Sequence, residues 1–299
     1  MEEIREVGDR TYQLQVRIER STYVYSVYII HEEQAALIDP GPASILPAIE
    51  RAMEHMGLGN LAYIIPTHIH IDHGGGTGSL AKRFPEAKVV VHELGKKHLV
   101  DPSRLVTSTK LAFGDNYETY LGPILPVPES RIIIPSDGME IAAGKRKLRI
   151  IHAPGHAPHH IAVFDLKTKG LFCGEALGMR YPSAPESPTP SIAPPGYDME
   201  IYLQTARKLA ALNPRTLYYA HDGVGHTPDA LIAALTKNTK IYTEGALDIL
   251  RSTENDTEAL SKIRDFIADR FGVDRAEADE GMAVAGFRVY FRKQEILPE

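Results

Sequence analysis

Residues 66–76, PTHIHIDHGGG, restrict this 299-residue chain more than any other segment. His68, His70, Asp72 and His73 stand on a glycine-rich turn between an apolar run at Ala62–Ile65, halted by Pro66, and a helical pattern near Thr77–Phe84. Imidazole and carboxylate are the usual ligands of zinc and its neighbours. His68 and His70, two apart in extended chain, point the same way. Asp72 and His73 follow as the chain turns, within reach of a second position a few ångströms off. The competing reading, a polar turn with satisfied histidines, fits so dense a pattern poorly. A loop of this kind sits at the carboxyl end of a strand, where open α/β sheets put their sites.

The flanking sequence supplies such a framework. From Thr11 to Pro40 the pattern is β, with TYQLQVRI alternating and VYSVYII rich in β-branched and aromatic residues. Ser44–His55 has helical spacing, and Lys88–His92 reads as a strand. Leu94–Leu121 reads as helical, broken at Pro102 and Gly114. Short strands are expected at Arg131–Pro135, Met139–Ala142, Lys147–His152, Ile161–Leu166, Leu171–Cys173 and Thr216–Ala220. A proline-rich loop at 182–198 precedes an amphipathic helix at Met199–Leu212. Beyond Pro228 the texture changes to three helices, at Asp229–Leu250, Thr257–Phe271 and Asp274–Gln294. The expected organisation is a sheet-and-helix core, residues 1–227, and a C-terminal helical region, residues 228–299, in the α/β (α+β) class.

Three further phrases carry metal-competent residues at strand ends. They are HAPGHAPHH (152–160) with His156, FCGEALG (172–178) with Glu175, and YYAHDG (218–223) with His221. Together with the first loop they offer five His, one Asp and one Glu, enough for two ions with open positions. Composition removes other functions. The net charge of −6 argues against a nucleic-acid partner. No apolar run approaches the ~20 residues that span a bilayer, and no membrane association is expected. The acidic start, MEEIREVGDR, lacks an apolar signal core, and the single cysteine, Cys173, suits a reducing compartment, so a cytoplasmic location is expected.

In THIHIDHGGG, APGHAPHH, LFCGEALG and YAHDG, taken in that order, the chain resembles the metallo-β-lactamase-fold hydrolases across roughly Tyr12–Asp222. The resemblance implies an αββα sandwich. It assigns His68, His70 and His156 to one metal and Asp72, His73 and His221 to the other. The family normally bridges the two metals with an Asp where this chain has Glu175, one methylene longer. Asp39, in LIDPG, matches an Asp that the family places below the site, and His160 matches an orienting partner; both are expected to support the centre without binding metal.

Among branches of the family, the chain looks most similar to glyoxalase II-type thioester hydrolases and their lactone-cleaving relatives. Its helical tail resembles that of a group including the quinolone-signal response thioesterase. The implied activity is hydrolysis of a small-molecule thioester, ester or lactone by two divalent ions, zinc first, with iron or manganese as alternatives. Asp72 would orient or deprotonate the attacking water. Met179, Arg180 and Tyr181, just beyond Glu175, are expected to face substrate, and the tail to cap the cleft and contribute to a homodimer interface. Two other readings remain open, a phosphodiesterase and a partner-binding or signalling protein whose metal centre is structural or weakly active.

Overall fold

The computed structural model describes residues 2–18, 24–278 and 281–298. The first half of the chain forms a seven-stranded sheet in sequential order. Strands β1 (Glu2–Gly8), β2 (Thr11–Arg17), β3 (Val24–Ile30) and β4 (Ala36–Ile38) pair antiparallel. After helix α1 (Leu46–His55) the pairing turns parallel at β5 (Tyr63–Ile65). The short α2 (Ile71–Gly74) and α3 (Thr77–Arg83) lead to β6 (Lys88–Val90). Helices α4 (Glu93–Val100), α5 (Ser103–Phe113) and α6 (Glu118–Leu121) then precede the edge strand β7 (Ile132–Ile133).

The second sheet contains β8 (Glu140–Ala143), β9 (Arg146–His152), β10 (Ile161–Asp165) and β11 (Gly170–Gly174). Helix α7 (Met199–Ala210) crosses over to β12 (Thr216–Tyr219), which runs parallel to β11, and β13 (Val224–Gly225) closes the edge. Helices α8 (Pro228–Ser252), α9 (Asp256–Phe271) and α10 (Ala283–Lys293) form the tail.

Alternation within the strands builds the layers. In β3, Tyr28 and Ile30 face the second sheet, while Tyr25, Val27 and Ile29 face the helices of the first half. In β10, Ile161 and Val163 meet the first sheet, while Ala162 and Phe164 face the tail side. The result is the expected αββα sandwich, with one apolar core between the sheets and one under each helical layer. The Tyr28 hydroxyl donates to the Tyr219 carbonyl at 2.6 Å and ties the sheets together. A second tie is the fully buried Arg146, whose guanidinium donates to the Asp9 carbonyl (2.6 Å) and Thr11 Oγ1 (3.1 Å). It also lies 3.3 Å from Glu32 Oε1 and 3.5 Å from Asp165 Oδ2.

The tail shares a core with the second sheet. Leu231, Leu235 and Tyr242 of α8, Ile263 and Ile267 of α9, and Phe287 of α10 join Leu171, Cys173 and Leu217 in one buried cluster. Two expectations need revision. Strand β1 stands where EEIREVG carries too little apolar alternation to be read, because an edge strand tolerates charge. The last helix starts at Ala283, not at Asp274. Polar residues fill the preceding turn, of which Asp279 and Glu280 lie outside the described residues.

Candidate metal centre

The His-rich loop is anchored from beneath. Asp39 follows β4 in a left-handed conformation (φ 52°), which a short polar side chain tolerates. Its Oδ1 accepts both the Thr67 N–H (2.8 Å) and the Thr67 hydroxyl (2.7 Å). With that proton committed, Thr67 Oγ1 offers its lone pairs to His68 Nδ1, 3.2 Å away. His68 Nδ1 therefore carries the proton, and Nε2 turns a bare lone pair inward. The glycines after His73 are fixed by close approach. A Cβ at Gly75 would sit 2.4 Å from the Ile71 carbonyl oxygen, and one at Gly76 would sit 2.9 Å from that of Gly41.

His156, in the loop between β9 and β10, donates through Nδ1 to the Ser191 carbonyl at 3.1 Å, which leaves Nε2 as the nitrogen turned inward. His68 Nε2, His70 Nδ1 and His156 Nε2 form a triangle with sides of 2.9, 3.0 and 3.2 Å. Three ring nitrogens from two separate loops thus converge on one point beside the Glu175 carboxylate, the arrangement of ligands around a shared ion. Ligands at 2.0–2.1 Å on a tetrahedral cation lie about 3.3 Å apart, close to this spacing. The donors therefore fit a divalent metal ion.

Asp72, His73 and His221 form the adjoining group, their ligand atoms all within 4.8 Å of one another. Asp72 Oδ2 is 3.3 Å from His73 Nε2 and 3.5 Å from His221 Nε2. Neither ring nitrogen of the buried His73 makes a hydrogen bond, although Asp39 Oδ2 lies 3.7 Å from its Nδ1. A buried imidazole flanked by carboxylates and lacking hydrogen bonds has the environment of a ligand.

Glu175 lies between the groups. Its Oε2 is 2.9 Å from His156 Nε2, 3.2 Å from His68 Nε2 and 3.3 Å from His73 Nε2. Oε1 accepts the Ser191 hydroxyl at 2.8 Å. Its backbone is held on both sides, N–H by His160 Nε2 (3.2 Å) and carbonyl by the Tyr202 hydroxyl (2.7 Å). Gly174 permits this approach with φ 53°; a Cβ there would lie 2.6 Å from Thr67 Oγ1 and 2.7 Å from His160 Nε2.

Burial dominates the electrostatics. It drives the His68 and His160 imidazoles well below their ordinary pKa, and His70 down to about 4, which keeps them neutral at pH 7. Burial also opposes charge on His73 and His156, but the Asp72 and Glu175 carboxylates raise the first well above its ordinary value, and Glu175 raises the second. Against burial, His73 and His221 hold Asp72 below the carboxylate range, and His156 and His73 do the same for Glu175.

A cleft of about 800 Å³ opens above these groups, with His70, Asp72, His156, Glu175 and His221 on its floor. Met179 lines it, and Gly281–Ala283 of the tail border one side. Arg180 and Tyr181 do not line it, contrary to expectation. After Gly178 (φ 88°) the chain pairs Met179 with Thr189, and the Arg180 guanidinium is drawn to the carbonyls of Pro185 (2.9 Å) and Val224 (2.8 Å). It also rests over the Tyr219 ring. The Tyr181 hydroxyl pairs with Thr189 Oγ1 at 2.9 Å. Sequence reasoning passed over Thr67, Ser191 and Tyr202. Thr67 had the one available signal, a hydroxyl adjacent to His68. Ser191 and Tyr202 meet Glu175 only through the fold.

A family model described as the metallo-beta-lactamase superfamily matches residues 21–221. The metallo-beta-lactamase fold-containing protein ST1585 of Sulfurisphaera tokodaii is 30% identical over 205 residues, covering 67% of this chain and 74% of that protein. A hydroxyacylglutathione hydrolase of Synechococcus sp. strain JA-2-3B'a(2-13) is 28% identical over 170 residues, 55% of this chain; the match spans about half of that protein's length, 52%. Among solved structures, the metallo-beta-lactamase family protein TTHA1429 of Thermus thermophilus superposes with a TM-score of 0.73 at 20% identity, covering 97% of this chain and 95% of that one. The chain belongs to the metallo-beta-lactamase superfamily. Its fold and its paired His, Asp and Glu groups are those of a metal-dependent, hydrolase-like protein. No helix among the described residues is long and apolar enough to cross a membrane.

Proposed function

We propose that this chain is a hydrolase that opens a thioester, ester or lactone bond of a small molecule at a centre of two divalent ions, zinc first by donor chemistry. His68, His70 and His156 would hold one ion, and Asp72, His73 and His221 the other. The observation that carries the reading is Glu175 Oε2, which stands 2.9–3.3 Å from imidazole nitrogens of both groups. When bound, such ions polarise the reacting carbonyl and acidify water to near neutral pH. The protein's own contribution is orientation and proton handling. Asp72 reaches the cleft with its side chain 29% exposed and is kept ionised by His73 and His221, so it can accept and orient a water proton. The names of several relatives, hydroxyacylglutathione hydrolases, support thioester cleavage over other acyl chemistry.

The test is the double variant His68→Ala/His70→Ala, with elemental analysis and a panel of thioester, lactone and phosphodiester substrates. Loss of at least one ion per chain together with loss of hydrolysis is expected. Full metal content in that variant would overturn the ligand assignment. A native protein that holds its ions and cleaves nothing in the panel would favour a binding or signalling role.

A further inference from the structure

The cleft walls differ from the floor. Above the His and carboxylate cluster stand Leu105 and Phe113 of α5 and Leu121 after it, facing Ile192 of the proline-rich loop and Met282 of the tail. Phe113 and Met282 are large apolar side chains left 47% and 41% exposed. Two exposed apolar side chains beside one concavity are the kind of surface that ligands cover. Among the described lining residues none is Lys or Arg, and the one carboxylate outside the ligand cluster is Asp115. Along the described walls, an anionic group on a substrate's body would therefore meet a carboxylate and no Lys or Arg. An aliphatic or aromatic body would cover Phe113 and Met282.

We propose that the walls select a neutral, apolar acyl group, and that they disfavour substrates whose body carries carboxylates or phosphates, glutathione thioesters included. This rests on the hydrolase reading for the direction in which the acyl group points, with its carbonyl at the floor and its chain along Leu105, Phe113, Ile192 and Met282. Each methylene buried against such a wall should raise kcat/KM about fourfold until the wall is filled.

The experiment uses the zinc-loaded full chain and a series of neutral thioesters with acyl chains from acetyl to octanoyl, with S-lactoylglutathione as the anionic comparison. The same acyl chains presented as unreactive primary amides are followed in parallel by ligand-observed NMR, which reads binding without turnover. Expected results are a three- to fourfold gain per methylene over the first few carbons in both readouts, and at least a tenfold preference for hexanoyl thioester over S-lactoylglutathione. Phe113→Asp and, separately, Met282→Asp should each reduce the gain per methylene to less than twofold. A rising amide affinity without hydrolysis of any thioester would leave the apolar wall standing and overturn the hydrolase reading. Hydrolysis with a flat chain-length profile, or with S-lactoylglutathione preferred, would overturn the wall proposal and leave the hydrolase reading intact. Flat amide affinity without hydrolysis would overturn both.

Discussion

Removing one hydroxyl, Ser191→Ala, isolates the support of the carboxylate between the two histidine groups. Ser191 Oγ donates to Glu175 Oε1 at 2.8 Å, while the Ser191 carbonyl separately accepts from His156 Nδ1. The substitution deletes only the first contact, so His156 keeps its tautomer and the loss falls on Glu175. A hydrogen bond to a charged group contributes about 1.5–3 kcal/mol, and a buried carboxylate oxygen left without it loses that amount. If the centre feels the whole loss, metal affinity should drop ~10–100-fold, the usual effect of removing a partner that orients a ligand. Competition with a chromophoric chelator measures this directly, and thermal melts of the metal-free protein separate it from general destabilisation. Ser191→Thr keeps the hydroxyl and should recover most of the affinity. Native affinity within twofold for the Ala variant would refute the argument that this bond sets the position of Glu175.

Glu175→Gln replaces a carboxylate that reaches both groups by a neutral amide, and elemental analysis should find less than the native metal content; unchanged content for both ions would remove Glu175 from the centre. Glu175→Asp should retain two ions, since it restores the residue common to the superfamily, and a loss of both would argue that the extra methylene is required. Arg146→Ala would leave the buried Asp165 carboxylate without its cation and Glu32 with Arg10 alone, 3.6 Å away, and should lower unfolding free energy in urea by about 3–5 kcal/mol. A decrease below about 1 kcal/mol would mean that water or a neighbouring side chain replaces it.

The histidine loop was legible because its information is local. His68, His70, Asp72 and His73 sit on one turn, and His156, Glu175 and His221 each follow within a few residues of a strand whose apolar pattern can be read by itself. The layers were legible for the same reason, since β3 and β10 alternate cleanly. What failed was direction. Arg180 and Tyr181 follow Glu175 closely in sequence, but the left-handed Gly178 and the pairing of Met179 with Thr189 carry them off the cleft wall. Ser191 was invisible for a different reason. It lies in a proline-rich loop without periodicity, and its link to Glu175 exists only through the fold, which holds that loop by the Met179–Thr189 pairing, Asn238 of α8 and α10. The α5 wall was read as helix, yet nothing in its spacing indicates which of its residues meet solvent and which meet substrate.

The contact between α10 and that loop bears on how such a chain can be altered. A Cβ at Gly286 would stand 2.6 Å from Ile192 Cγ2 and 3.3 Å from the Ala193 nitrogen, and Lys293 donates to the Pro195 carbonyl at 2.7 Å. The end of the chain is thus a mould for the loop that carries Ser191, and through Ser191 for two of the seven metal-competent side chains. Chimeras between relatives should respect that dependence. A crossover placed at the seemingly natural seam before Pro228 would join a foreign mould to a native loop, whereas exchanging 182–198 together with α8–α10 would keep the two matched.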